Sequence, residues 1–143
     1  MTRLVFFCPQ KVNMENNIGH NFNELVGQTI QKITGAEKGS DIIKFYLSDG
    51  RIAYLQHEQD CCESVEVKDI CGDIQDLIGV PIARASEDSN NDEPQLSDSD
   101  ESWTWTFYNI GTSKGHVTIR WYGTSNGYYS ESVTFGFLDH NVQ

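Results

Sequence analysis

Residues 102–137, SWTWTFYNIGTSKGHVTIRWYGTSNGYYSESVTFGF, constrain the fold more than any other part of the chain. They hold all three tryptophans, four of the six tyrosines and three of the seven phenylalanines. Large and β-branched residues alternate here with small polar ones, the period-2 signature of half-buried strands. The pattern predicts three consecutive antiparallel strands. In the first, Trp103, Trp105 and Phe107 alternate with Thr104, Thr106 and Tyr108. In the second, Val117, Ile119 and Trp121 alternate with His116, Thr118, Arg120 and Tyr122. In the third, Val133, Phe135 and Phe137 alternate with Ser132, Thr134 and Gly136. The turns fall at residues 112–115 (TSKG) and 125–127 (SNG), where glycine permits positive φ. On this reading the tryptophan-bearing face is a core wall. The opposite face is polar, with Tyr108, Arg120 and Tyr122 among threonines and serines.

The rest of the chain extends the β pattern. Residues 29–34 alternate as a first core strand. Residues 41–47 and 51–57 read as a hairpin around Ser48, Asp49 and Gly50, with Ile43, Phe45 and Leu47 on one face of the first arm. Ala53, Leu55 and His57 share a face of the second. Residues 63–67 and 81–86 read as short strands. Ile70, Ile74, Leu77 and Ile78 recur at roughly helical spacing between Asp69 and Gly79, which predicts one short helix or turn of helix. Residues 1–22 read as an N-terminal extension. Asn23 is placed to cap a helical turn that ends at Gly27. Residues 23–138 form a single domain. Residues 87–101 carry seven acids and no base, the composition of a flexible surface loop. The expected fold class is α+β: mostly antiparallel sheet with one short helix.

A chain of 143 residues can bury a real core. Its net charge is −11, which argues against direct nucleic-acid binding, since that needs a basic footprint. It permits a basic protein partner or a protein that imitates nucleic-acid charge, and the bland alternative is acidity that serves solubility. No apolar run approaches the length of a membrane helix, and residues 3–7 are too short for a signal segment. The expected location is therefore the cytoplasm, where the four cysteines are expected as thiols.

Three constellations could carry chemistry. His57, Cys61, Cys62 and Cys71 could supply nitrogen and sulfur to a metal, or a Cys–His pair for nucleophilic catalysis. The spacing is unlike that of paired C-x-x-C zinc sites, and adjacent strand cysteines point opposite ways. The bland alternative, buried small hydrophobes and a turn-capping histidine, is preferred, with no metal or cofactor. The second constellation is Arg120 with Tyr108, Tyr122, Tyr128 and Tyr129. It could bind a phosphate-bearing ligand through the guanidinium fork and stack a base on the rings. Its alternative is a cross-strand Arg120–Glu131 pair beside tyrosines that seal a subunit interface. The third is the acidic loop, with Asp92, Glu93, Asp98, Asp100 and Glu101 as a docking surface for a basic groove. There is no glycine-rich phosphate loop, G-x-S-x-G elbow or H-E-x-x-H signature.

The blocks HEQDCCESV (57–65), DICGDIQDLIGVPI (69–82), WTWTFY (103–108) and VTIRWYGTSNGYYSESV (117–133) resemble a family of small proteins of unassigned function. That family is encoded mostly by bacteriophages and prophages. The resemblance implies a phage origin and a compact β-rich fold, with no catalytic residues to transfer. It leads to the expectation of a non-enzymatic phage accessory protein that counters bacterial immunity in the host cytoplasm. It would sequester a nucleotide-type signal or block a host defence protein. The alternatives are an enzyme built on His57 and Cys61 or Cys62, and a phage structural or assembly protein. Exposed aromatic strands would also suit a homo-oligomer.

Overall fold

The computed structural model describes residues 21–90 and 94–138. Among these residues eight strands run β1 (Ile30–Thr34), β2 (Ile42–Leu47), β3 (Ile52–Gln56), β4 (Ser64–Cys71), β5 (Ile82–Asn90), β6 (Ser102–Thr112), β7 (Gly115–Ser125) and β8 (Thr134–Leu138). They form two four-stranded antiparallel sheets, ordered β1-β2-β3-β8 and β4-β7-β6-β5. Their facing side chains merge into one core. Ile43, Phe45, Leu55 and Phe135 come from the first sheet, and Val67, Tyr108, Ile119 and Trp121 from the second. The sheets are stitched together at their margins. Gly27 N–H donates to the Ile82 carbonyl and Ile82 N–H to that of Gln28, while Val67 exchanges backbone bonds with Gly39 and Ser40. Edge strands left open would otherwise present unpaired backbone groups to other chains.

The fold is mostly β rather than α+β. Among the described residues the helical content is two four-residue 3-10 turns, Phe22–Leu25 and Ile74–Leu77. The first is capped by Asn21, whose N–H donates to Glu24 Oε2 at 2.8 Å. Of the helix or helical turn expected after Asp69, only the 3-10 turn Ile74–Leu77 forms. Strand β4 continues to Cys71, because Ile70 and Cys71 pair with Ile119 and Thr118 of β7. Gly72 then turns the chain at φ 110°, where a side chain would meet the His116 carbonyl at 2.5 Å. Asp73 caps through Gln75 N–H at 2.9 Å, and Gly79 ends the turn with φ 90°. Too few residues remain between those glycines to repay the nucleation cost of an α-helix.

The three-stranded meander expected over residues 102–137 is also corrected. Strands β6 and β7 do form a long hairpin, with Thr112 opposite Gly115. The chain then leaves that sheet, and β8 pairs with β3 in the other one, Leu55 opposite Phe135. The crossing segment lies against Gly123, where an added Cβ would stand 2.8 Å from the Glu131 carbonyl. The 112–115 turn sets the faces of the hairpin. Across a two-residue loop, residues of opposite parity face one another, so Trp121 lies opposite Thr106 and Ile119 opposite Tyr108. Val117, Ile119 and Trp121 point into the core as expected. Their β6 partners there are Thr106, Tyr108 and Ile110, not the tryptophans.

Candidate functional site

Trp103, Trp105 and Phe107 lie on the outer face of the second sheet, beside Arg120 and Tyr122 of β7. Trp105, Phe107 and Tyr122 form a second hydrophobic cluster separate from the core, with Trp103 packed on it. The Trp105 and Phe107 rings lie near parallel with centroids 6.3 Å apart, and Tyr122 tilts against Trp105 at 4.7 Å. This face is nevertheless covered. Trp105 Nε1–H donates to the Pro94 carbonyl at 3.2 Å. The Tyr122 hydroxyl accepts from Leu96 N–H at 2.9 Å and donates to Asp100 Oδ2 at 2.6 Å. Residues 94–100 of the acidic loop are thereby strapped across the outer aromatics. Burial, together with the hydrogen bond to Asp100, pushes the Tyr122 hydroxyl up to about 12.

Arg120 is engaged within the protein. Its Nε and Nη2 donate to the two oxygens of Asp69 at 2.6 and 2.9 Å, across the β4–β7 ladder. Its guanidinium also sits over Trp105, 4.9 Å from the ring centroid. The expected Arg120–Glu131 pair is not formed. Glu131 instead accepts from Thr104 Oγ1 at 2.7 Å and Ser125 Oγ at 2.5 Å. Tyr108 is fully buried, against Phe22 at 4.8 Å, because the hairpin register turns it inward. The proposed ligand cluster is thus divided among three places. Tyr108 is core, Arg120 and Tyr122 lie under or beside the strap, and Tyr128 and Tyr129 sit in the β7–β8 connection.

The acids and those last tyrosines do converge. A cleft of about 250 Å³ opens at the end of the second sheet, lined by Ser99, Asp100, Glu101, Thr124, Ser125, Asn126, Tyr129 and Cys62. Its walls carry carboxylates, hydroxyls and one aromatic ring, with no lysine or arginine. Tyr128 is 82% exposed beside it, edge-to-face with Tyr129 at 4.9 Å. Asp98 is exposed on the strap. Asp92 and Glu93 lie outside the described residues, as does most of the expected N-terminal extension. Alternation could not have joined Asp100 to Tyr129, since the loop's path depends on Tyr122 and Trp105 holding it.

The histidine and cysteines form a different structure from either a metal centre or a catalytic pair. His57 Nδ1 stands 2.6 Å from the Ser132 carbonyl, and Nε2 stands 2.6 Å from Glu63 Oε2. Both ring nitrogens are thus engaged within the protein, one by a backbone carbonyl and the other by a buried carboxylate. Burial alone would raise the Glu63 carboxyl. The bonds from His57 and from the Cys61 and Asp60 amides outweigh it and hold Glu63 at about 2. The ring therefore has no nitrogen spare to act as base for a cysteine. Cys61 is disulfide-bonded to Cys62, and Cys71 is disulfide-bonded as well, which corrects the expectation of thiols. The expectation of opposed side chains presumed a strand, whereas residues 61 and 62 lie in a bend held by Glu63. Among the described residues no group of three or more His, Cys, Asp and Glu is arranged to hold a metal.

A two-sheet antiparallel β domain with an acidic, hydroxyl-lined cleft is the class that fold and site define. The chain belongs to the family described as a domain of unknown function, DUF7448, whose model matches residues 23–135. No curated protein and no solved structure matches it. No helix among the described residues is long and apolar enough to cross a membrane.

Proposed function

We propose that the protein acts by stoichiometric binding and docks a basic protein at the cleft beside Asp100 and Glu101. The observation that carries this reading is the lining: two carboxylates, several hydroxyls and Tyr129 converge on one opening with no base to neutralise them. A lysine or arginine side chain entering there meets carboxylates for ion pairs and a ring face for cation–π contact. Tyr128 extends that ring surface outwards, and the net charge of −11 steers a basic partner towards it. The setting we propose is the one the resemblance implies, a bacteriophage protein that blocks a host defence protein in the bacterial cytoplasm. The nucleotide-sequestering alternative has less support, because the fork that would grip a phosphate is spent on Asp69.

The test is titration of the isotope-labelled protein with a lysine- and arginine-rich peptide, followed by calorimetry and amide shifts. Shifts are expected at residues 99–101 and 124–129. Glu101→Lys should weaken binding at least about tenfold, equivalent to about 1.4 kcal/mol. Reversal of the exposed Glu37, which is not part of the cleft lining, should change it little. Equal losses in the two variants would reduce the effect to diffuse charge. A bound nucleotide, lost in Arg120→Ala, would transfer the reading to the arginine.

A further inference from the structure

The connection between β3 and β4 is built to hold one exposed feature. Glu63 is buried, and it accepts from His57, from Asp60 N–H at 2.8 Å and from Cys61 N–H at 2.9 Å. Gln59 Nε2 closes the same bend by donating to the Cys61 and Glu63 carbonyls at 3.2 and 2.7 Å. His57 ties the whole bend to Ser132 in the segment that leads to β8. At the tip of this pinned bend Cys61 and Cys62 are exposed to solvent and bonded to each other.

A disulfide stabilises a fold chiefly by closing a chain loop, and the gain grows with the length of that loop. Between adjacent residues there is no loop to close, so this bond does not staple the domain. Structural disulfides are usually also shielded from reductant, and this one is not. A buried His57–Glu63 pair and five further hydrogen bonds hold in place a bond with no fold to secure. We propose that Cys61 and Cys62 form a reversible dithiol–disulfide exchange site whose reaction partner is a dithiol reductant.

The chemistry balances within that pair of reactants. One thiolate of the reductant attacks a sulfur of the Cys61–Cys62 bond, forms a mixed disulfide and expels the other cysteine as a thiolate, which takes a proton from water. The second thiolate of the reductant attacks its own sulfur in that mixed disulfide and expels the remaining cysteine. Two electrons and two protons pass to the protein, and the reductant leaves as its disulfide. Because Cys62 forms part of the cleft wall, the exchange takes place at the rim of that opening.

The experiment uses the folded full-length chain. Trypsin cuts after Arg51, Lys68 and Arg84, so peptide 52–68 carries Cys61 and Cys62 and excludes Cys71. The chain is treated with dithiothreitol without denaturant, quenched with iodoacetamide and digested. Both cysteines of peptide 52–68 are expected to be labelled, with neither labelled when reductant is omitted. Diamide after reduction should restore the unlabelled, oxidised peptide, and circular dichroism should stay unchanged throughout. The exposed-site variants Cys61→Ser and Cys62→Ser should each take up one glutathione from its disulfide. Full labelling before reductant with no closure by diamide would overturn the proposal. So would labelling only after denaturation, or serine variants that refuse glutathione.

Discussion

The two faces of the β4-β7-β6-β5 sheet are both aromatic and both covered, yet they are covered by different physics. The inner face packs Tyr108, Ile110, Val117, Ile119 and Trp121, each fully buried, against the apolar face of the other sheet. The outer face packs Trp105, Phe107 and Tyr122 beneath a hydrogen-bonded segment of the acidic loop. The first arrangement exists only when both sheets are assembled, so disturbing it is a global event. The second rests on a few local bonds and is open to local release. An acidic loop can thus be ordered without an apolar core of its own, provided that a neighbouring face offers rings with polar tips.

The largest effect should come from the inner face. Trp121→Ala is expected to cost about 3–5 kcal/mol in urea unfolding followed by circular dichroism. Trp105→Ala on the outer face should cost about 1.5–3 kcal/mol, the value of burying one large side chain. If the outer truncation costs as much as the inner one, the distinction between the faces is broken.

Acid probes a third region against these two, the His57–Glu63 pair that links the β3–β4 bend to the approach to β8. The Glu63 carboxyl lies at about 2 in the fold, against 4.5 as its ordinary value. A carboxyl lowered on folding adds stability above its unfolded value, and that stability is lost as pH falls through the folded one. The unfolding midpoint should therefore drop between about pH 4.5 and pH 2, and Glu63→Gln should flatten that part of the profile. A wild-type midpoint that is level across this window would show that the pair is not linked to folding.

The smallest effect should fall on the strap. Tyr122→Phe removes the hydroxyl shared by Leu96 N–H and Asp100, a loss of about 1 kcal/mol. It should appear as faster hydrogen exchange at the Leu96 amide, with inner-face amides unchanged. The same hydroxyl is raised from 10 to about 12. Its contribution is complete below pH 10 and is lost as pH rises through about 12, so alkaline release of the strap should precede global unfolding. Exchange that rises equally on both faces would merge the two layers into one unit.

Much of the fold is legible locally. The 42–47 and 52–56 hairpin, the inward set Val117, Ile119 and Trp121, and the buried Val133 and Phe135 all follow from alternation. Strand β6 defeats the same rule, because Trp105 and Phe107 on one side match Tyr108 and Ile110 on the other in apolar character. Its register was nonetheless present in the two-residue loop at Ser113 and Lys114, which forces opposite-parity pairing. In the candidate site, acidity around Asp100 and Glu101 was readable from composition. Its meeting with Tyr129 and Cys62 was not, since the strap, the β7–β8 crossing and the β3–β4 bend supply the cleft from three separate parts of the chain.

By itself the sequence determined where strands begin and turn, since alternation, glycine and short-range capping act within a few residues. It also determined the net charge of −11. Only the tertiary structure decided that β8 crosses to the other sheet, that Arg120 meets Asp69, and that a buried His57–Glu63 pair holds two joined cysteines at the surface. Those outcomes rest on contacts between residues far apart in the chain, 75 positions for His57 and Ser132 among them. No local propensity encodes such contacts, because their energy exists only once both sheets are in place.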